Sequence, residues 1–212
     1  MPAHVPTALS AALAALLLLT ACGTSMPTTT TLDQARADTY AAVARRLYNE
    51  ERAGSSDQSA ARVIAVLPRF AQAVQRGDPV AARRALRHQP VRHAVRARLV
   101  LGGRVFADVG LPFVVGGEVH PYRSSNPQRV GTIEVSIQDI TGYIRLMHRL
   151  CGVQMLVRGQ SGHVATLLPA AAAIALPAAG YVSISGRRYR VSSFTRRGFA
   201  GEPLSVWVLA PV

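Results

Sequence analysis

The chain has 212 residues, of which 49% are hydrophobic and 17% charged, and its formal net charge is +13. So many hydrophobic residues with so few charges argue against a disordered chain, and the length suits one domain of ordinary size. No apolar run reaches the roughly 18 residues that a membrane-spanning helix needs, which argues against a polytopic membrane protein. All 24 positively charged side chains are arginine. Without lysine, a lysine nucleophile, a Schiff base and a Walker-type phosphate loop are excluded.

The first 21 residues have the features of an export signal. Ala8 to Ala21 is an apolar stretch of Ala and Leu that is too short to cross a bilayer but suits a signal-peptide core. It ends in Leu19-Thr20-Ala21-Cys22, which resembles the lipobox of bacterial lipoproteins. This resemblance implies that residues 1–21 are removed and that Cys22 is acylated, for example with palmitate. Lipid then holds the protein on the extracytoplasmic face of the cell membrane.

Two features of this segment leave alternatives open. No Arg or Lys precedes the apolar core, which departs from the usual signal peptide, and Cys22 could be a chance cysteine after a buried helix. Gly23 follows the cysteine and leaves the choice of membrane open. Residues 22–31 are rich in Ser, Thr and Pro and are predicted to form a flexible tether. With Cys22 modified, Cys151 has no disulfide partner, and we expect it to be buried rather than reactive or bridged to another chain.

Helical spacing of apolar residues dominates the first part of the chain. A helix is predicted over Asp33–Arg52, and a second over Asp57–Arg76, where Pro68 should kink or split it. Gly77-Asp78-Pro79 then supplies a C-cap, an N-cap and a first-turn proline for a short helix that ends near Arg87.

After Pro90 the pattern changes to strands. Val95–Leu101 and Arg104–Val109 are joined by Gly102-Gly103, the signature of a tight hairpin. Val130–Gln138 alternates, with Ile133 on one face and Glu134 on the other. The remaining predicted elements are a helix over Ile140–Leu150 capped by Asp139, strands at Val153–Arg158 and His163–Leu168, a short helix at Ala170–Ala175, and strands at Tyr181–Ser185, Tyr189–Phe194 and Leu204–Leu209. Helices followed by hairpins predict an α+β fold, with long N-terminal helices on a mainly antiparallel sheet.

Three segments follow one another after the predicted helices: RLVLGGRVFADVG, GTIEVSIQDITGYIRLMHRLCGVQMLVRGQSGHV and YVSISGRRYRVSSF with LSVWVLAP. In this order they resemble the Cache branch of extracytoplasmic PAS-like sensor domains. The resemblance covers residues 32–212 and rests on the order of elements and the placement of turns. It implies one sheet, backed by the long helix, that cups a small ligand under covering loops. The stretch after Gly131 also resembles the start of a second Cache module, so two compact modules meeting near residue 130 are an alternative to one domain.

The sequence contains no convincing enzyme signature. Gly159-Gln160-Ser161-Gly162 lacks the last glycine of a nucleophile elbow and suits a hairpin turn better. His148 and Cys151 lie three apart on a predicted helix, but two ligands without a third do not make a metal site. We therefore expect no catalytic residue, no metal and no cofactor.

Positive charge is concentrated in one stretch. Residues 32–104 hold 14 Arg and 6 acids, a net +8, whereas residues 105–212 hold 10 Arg and 5 acids, a net +5. Export removes nucleic acid as a partner, so anionic lipid and cell-wall polymer are the available acidic surfaces. The predicted contacts for such a surface are Arg83, Arg84, Arg96 and Arg98. The alternative is a solvated basic face with no partner.

A ligand pocket would combine arginine donors with aromatic side chains on the later part of the sheet and its helix. Arg145 and Arg149 lie four apart and share a helix face. Tyr143 is near the start of that helix, and Tyr181 and Tyr189 are predicted to face each other across the Gly186 hairpin. These side chains could clamp an anionic metabolite. Alternatively, the arginines are surface residues and the tyrosines belong to the core.

Two function classes follow from the sequence. The first is a lipid-anchored, non-catalytic module that binds a small molecule, for which an anionic metabolite is one candidate. Such a module either passes the signal to a separate receptor or serves only as a capture protein. The second is a structural envelope lipoprotein that docks its basic face on anionic lipid or wall polymer. A hydrolase is a distant third.

Overall fold

The structure, a computed structural model, describes residues 29–89, 91, 93–124 and 130–212. The predicted leader, Cys22 and most of the predicted tether lie outside these residues. Residues 33–212 form one compact unit. In the described part of the chain, no helix is both long enough and apolar enough to cross a membrane.

Four helices come first: α1 (Thr29–Arg52), α2 (Ser55–Val66), α3 (Pro68–Arg76) and α4 (Pro79–Arg87). The predicted second helix is divided at Leu67, which is extended with ψ 122° because the next residue is a proline. Gly77 ends α3 in the left-handed conformation with φ 71°. The Asp78 side chain caps α4 by accepting hydrogen bonds from two backbone N–H groups, those of Val80 and Ala81. The predicted helix ends at Arg52, Arg76 and Arg87 are therefore confirmed, whereas α1 and α2 begin earlier than predicted, at Thr29 and Ser55.

The next strands form a four-stranded antiparallel sheet, the first sheet. Its strands are β1 (Arg96–Leu101), β2 (Arg104–Gly110), β3 (Val119–Arg123) and β4 (Val130–Ser136), in the order β2-β1-β4-β3. The predicted glycine hairpin joins β1 to β2 with φ values of 55° and 77° at Gly102 and Gly103. Helices α2, α3 and α4 pack on one face, over a core that includes Leu99 and Ile133.

No strand was predicted at β3, which contains a proline. Pro121 cannot donate a ladder hydrogen bond, but β3 lies at the edge of the sheet, where it pairs with β4. An edge strand tolerates proline because one side of its backbone needs no partner. The alternating pattern of β4 is confirmed, and β4 pairs with β1 and β3, so the first sheet ends at Ser136.

The rest of the chain forms a second antiparallel sheet of five strands, the second sheet. After helix α5 (Ile140–Cys151), its elements are β5 (Gln154–Gly159), β6 (Val164–Thr166), the short helix α6 (Pro169–Ala172), β7 (Ala179–Ile184), β8 (Arg187–Arg197) and β9 (Pro203–Pro211), and the strand order is β6-β5-β9-β8-β7. Helices α1 and α5 pack on one face. A smaller cluster that includes Ala171 of α6 covers part of the other. The prediction of an α+β fold with antiparallel strands is confirmed, and the strands are divided between two sheets.

One tyrosine of α1 connects the two sheets. The Tyr48 side chain is 1% exposed, and its hydroxyl donates to the Arg197 carbonyl, 2.9 Å away at the end of β8. The same oxygen accepts from the Gly116 N–H, 3.1 Å away in the loop before β3. The Tyr48 ring meets the Tyr143 ring of α5 edge to face, with 5.5 Å between centroids. Burial raises the pKa of Tyr48 to about 12, which keeps the hydroxyl protonated and able to donate.

The Tyr48→Phe variant should be less stable than the wild type. It leaves the Gly116 N–H and the Arg197 carbonyl without their common partner, at an expected cost of about 1–3 kcal/mol in urea unfolding. Tyr40→Phe on the same helix is the control. The Tyr40 hydroxyl accepts a hydrogen bond from the exposed Arg36 Nε. We expect the control to change stability by less than about 0.5 kcal/mol. If both variants have the same free energy of unfolding, the two hydrogen bonds of the Tyr48 hydroxyl do not stabilise the fold.

Candidate functional site

The face of the first sheet opposite α2, α3 and α4 carries charged side chains. On β1, the buried residues Ala97 and Leu99 point to the helices, so the alternate residues Arg96 and Arg98 point the other way. Arg98 is in register with two acids, one on each neighbouring strand: Asp108 of β2 and Glu134 of β4. Two bases and two acids therefore lie together at the centre of this face.

Arg96 is held by contacts within the protein. Its Nε and one terminal nitrogen each lie 2.9 Å from a carboxylate oxygen of Asp108, which makes a bidentate ion pair. Its other terminal nitrogen donates to the Pro112 carbonyl at 2.8 Å. The guanidinium also lies over the Phe199 ring, 4.7 Å from its centroid. These partners occupy the guanidinium that the sequence assigned to an anionic surface.

Glu134 is a nearly buried carboxylate, with only 7% of the residue exposed. Both of its oxygens accept from the Ala200 N–H, at 3.0 and 3.2 Å. Ala200 belongs to the short 3-10 turn Phe199–Gly201 between β8 and β9, and its φ of 59° is left-handed. Left-handed backbone at a non-glycine residue costs about 1–2 kcal/mol. The turn is held in that shape where it covers the first sheet and meets the carboxylate.

The electrostatics of Glu134 follow from its surroundings. Burial raises the pKa of the Glu134 carboxyl, because the charged form loses water. The Ala200 N–H, and then the positive charges of nearby arginines, act in the opposite direction without cancelling the effect of burial. An additional positive group beside Glu134 would therefore stabilise its charged form.

A cavity of about 200 Å³ opens between this face of the sheet and the Phe199–Gly201 turn. Its lining consists of Arg98, Val100, Val119, Thr132, Glu134, Ala200 and Gly201. The Arg98 Nε is buried and has no hydrogen-bond partner within the described structure. A buried donor without a partner costs about 1–3 kcal/mol. Arg98 and Glu134 both line this cavity, so a molecule in it that accepts from the Arg98 guanidinium and donates to the Glu134 carboxylate would contact both side chains.

The structure distributes the five predicted ligand-binding residues over separate places. Tyr143 is buried in the core between α5 and the second sheet, and its hydroxyl donates to the Ala44 carbonyl at 2.6 Å. Burial raises the pKa of Tyr143 as well. Arg145 and Arg149 are both exposed and line one shallow depression on the outside of α5, as their spacing predicts. Tyr143 is not among the residues that line it.

The predicted pairing of Tyr181 with Tyr189 is wrong. The turn after Ile184 places Tyr181 opposite Arg190 and Tyr189 opposite Val182, so the two rings lie on different faces of the second sheet. Tyr189 is 4% exposed and belongs to the smaller core cluster. The Tyr181 ring contacts two guanidinium groups, with the Cζ atoms of Arg188 and Arg190 at 4.0 and 4.4 Å from the ring centroid.

The four arginines predicted to contact an anionic surface lie on two sides of the first sheet. Arg83 and Arg84 belong to α4, on the helix-covered side. Arg96 and Arg98 are on the opposite face, where Arg96 is engaged with Asp108. The structure therefore does not bring these four side chains onto one surface.

The Gly159–Gly162 segment is a hairpin turn, as predicted, and Gly162 has φ 85°. The Ser161 hydroxyl lies 2.6 Å from the His163 Nδ1 and also bonds to the Glu202 carboxylate. The serine stands between the acid and the histidine, whereas in a catalytic triad the histidine stands between serine and acid. Within the described residues, no group of three His, Cys, Asp or Glu side chains could hold a metal ion.

Solved structures that are similar to this chain include extracellular ligand-binding domains. An extracellular ligand binding receptor from Desulfohalobium retbaense DSM5692 matches over 81% of this chain at 13% identity and a TM-score of 0.38, and the chain spans 39% of that receptor. The ligand-binding domain of the Pseudomonas fluorescens chemoreceptor CtaA, in complex with L-serine, matches over 85% of this chain and 97% of that domain, at 10% identity and a TM-score of 0.41.

The ligand-binding domain of the Pseudomonas aeruginosa PAO1 amino acid chemoreceptor PctB, in complex with L-Arg, is a further neighbour. It matches over 84% of this chain and 92% of that domain, at 12% identity and a TM-score of 0.36. No protein-family model matches the sequence, and no curated protein does either. Likeness at this level assigns neither a family nor a ligand to the chain.

The Glu134→Gln variant should flatten the pH dependence of stability. Because the pKa of Glu134 is raised above its ordinary 4.5 in the folded protein, the folded state binds this proton more tightly than the unfolded state. The wild type therefore loses stability as the pH rises from that value through the folded-state pKa. The glutamine still accepts a hydrogen bond from Ala200 but does not titrate. The melting temperature of the variant should therefore increase relative to that of the wild type as the pH rises.

Thermal unfolding between about pH 4 and pH 8 measures this difference. Glu118→Gln is the matched control, because Glu118 is exposed and carries the same change of charge. A constant difference between the wild type and Glu134→Gln across the pH range would contradict the burial of a charged carboxylate at this site.

Proposed function

We propose that the chain is a Cache-type, non-catalytic module that binds a small molecule outside the cytoplasm. The ligand occupies the cavity between the first sheet and the Phe199–Gly201 turn. The observation that carries this proposal is the buried Glu134 carboxylate beside an Arg98 Nε without a hydrogen-bond partner. The domain spans residues 32–212 and uses no cofactor. A separate receptor receives the signal.

The charges of the site favour a ligand that carries both a carboxylate and an ammonium group. A guanidinium fork matches the two oxygens of a carboxylate, and a carboxylate accepts from an ammonium group. Arg98 and Glu134 are directly opposite each other on neighbouring strands, which places their Cβ atoms about 5 Å apart. The two ends of an α-amino acid can therefore reach both side chains at once.

The size of the cavity limits the ligand. Its volume of about 200 Å³ lies below the roughly 300–1,000 Å³ of pockets that hold drug-sized ligands, which favours a small ligand. Val100 and Val119 supply apolar walls, and Thr132 adds a hydroxyl. A small amino acid fits these walls better than a large aromatic one.

The alternative function, docking of a basic face on anionic lipid or wall polymer, depended on four arginines. Because they lie on two sides of the first sheet, and Arg96 is paired with Asp108, the geometry favours the small-molecule proposal.

A ligand screen tests the proposal. Thermal shift and calorimetry on the full chain with small L-amino acids should detect a ligand, and at a hundred times its dissociation constant the protein gains about 2.7 kcal/mol. Matched carboxylates without the amine, and amines without the carboxylate, should bind at least about tenfold more weakly, because one buried charge is left without its partner.

Two variants locate the binding site. Arg98→Gln should abolish binding, whereas Arg104→Gln should not change it. Arg104 is exposed on the neighbouring strand and does not line the cavity. Failure of every amino acid and amine to stabilise the protein, or unchanged binding by Arg98→Gln, would count against this site.

We also propose that lipid on Cys22 anchors the domain. Mass spectrometry of the protein from membranes of a bacterial host should show a mature N-terminus at Cys22 with added acyl mass. The Cys22→Ser variant should keep residues 1–21 and lack that mass, because a hydroxyl does not replace the thiol that is acylated. Cys151→Ser is the control, since it leaves the lipobox intact. An unmodified Cys22 in the mature wild-type protein would disprove the anchor.

A further inference from the structure

A second cavity lies outside the site described above, between helices α3 and α4. The two helices pack against each other and are joined by the short Gly77-Asp78 connection. The cavity between them has a volume of about 490 Å³, within the range of pockets that hold small organic ligands. Its lining consists of Leu67, Pro68, Arg69, Gln72, Arg76, Ala81, Arg84, Ala85 and His88.

Small side chains create the apolar part of this cavity. Ala81 and Ala85 are one helical turn apart on α4 and share a face, where larger residues would fill the space between the helices. Both are half-buried and pack, like Leu67, against the core of the first sheet. Pro68 completes the apolar wall at the start of α3. The floor of the cavity is therefore a fixed apolar surface continuous with the core.

The rim of the cavity is positively charged. Arg69 and Arg76 come from α3 and Arg84 from α4, and all three side chains are exposed. The described residues that line the cavity include no Asp or Glu. Residues 68–88 contain one acid, Asp78, and its carboxylate is used to cap α4. The rim consequently presents guanidinium donors without a competing carboxylate on the cavity wall.

We propose that this cavity is a second binding site, for a free organic anion with an apolar body, such as a medium-chain carboxylate. The apolar body covers Ala81 and Ala85, and the acid group lies between Arg76 and Arg84. The site is independent of the amino-acid proposal, because α3 and α4 lie on the face of the first sheet opposite Arg98 and Glu134.

Calorimetry with sodium octanoate below its micelle concentration tests this site in the full chain. We expect octanoate to bind, and 1-octanol and octylamine to bind at least about tenfold more weakly, since they lack the charge that the arginines recognise. Arg84→Gln should weaken octanoate binding by about tenfold or more. Arg87→Gln is the matched control, because Arg87 is exposed on the same helix but does not line the cavity.

A second variant tests the apolar part. Ala85→Phe should fill the cavity and remove octanoate binding, and its melting curve reports whether it folds; if it does not, the two arginine variants still decide. Equal loss in Arg84→Gln and Arg87→Gln would overturn the proposal, as would octylamine binding as tightly as octanoate. Binding to phosphatidylglycerol vesicles without binding of monomeric octanoate would also overturn it. Glu134→Gln should leave octanoate binding unchanged, so failure of either site is distinguishable from failure of the other.

Discussion

The arrangement of the two sheets depends on the buried hydroxyl of Tyr48. One oxygen on α1 accepts from the Gly116 N–H beside the first sheet and donates to the Arg197 carbonyl at the end of the second. The two chain segments also approach closely, since a Cβ on Gly116 would lie 2.8 Å from the Gly198 carbonyl. A side chain at position 116 would push these segments apart. Glycine at this position and tyrosine on the helix thus act together to fix where β8 ends.

The candidate ligand site follows from that constraint. The Phe199–Gly201 turn begins two residues after Arg197, so the position of β8 determines where the Ala200 N–H lies. That N–H bonds the carboxylate of Glu134, and the Phe199 ring beneath the Arg96 guanidinium helps to hold the turn. Burying a carboxylate without a hydrogen bond is costly. The turn between two strands of the second sheet supplies this hydrogen bond to the carboxylate on the covered face of the first sheet.

Local signals explain how much of this was predictable from the sequence. Proline at position 68, aspartate at positions 78 and 139, and paired glycines at 102 and 103 act on their immediate neighbours, and the elements they delimit are confirmed. The register of the β7–β8 hairpin was also within reach, because a two-residue turn at Ser185-Gly186 places Tyr181 opposite Arg190. The contact between Glu134 and Ala200 was not, because 66 positions separate the two residues and nothing in the alternation of β4 identifies the partner of its polar face.

The basic stretch of the sequence illustrates the same limit in electrostatic terms. Eight arginines and one acid between residues 76 and 104 suggest a single patch. The arginines of the helices lie on the outer helix surface. The alternate residues of a strand point to opposite faces, so the arginines of β1 lie on the sheet face that the helices do not cover. Arg84 therefore lines the cavity between α3 and α4, and Arg98 lines the cavity on the opposite side of the sheet. Arginines that are close together in the sequence therefore lie on two separate surfaces. One surface borders an open apolar groove, and the other contains a buried carboxylate.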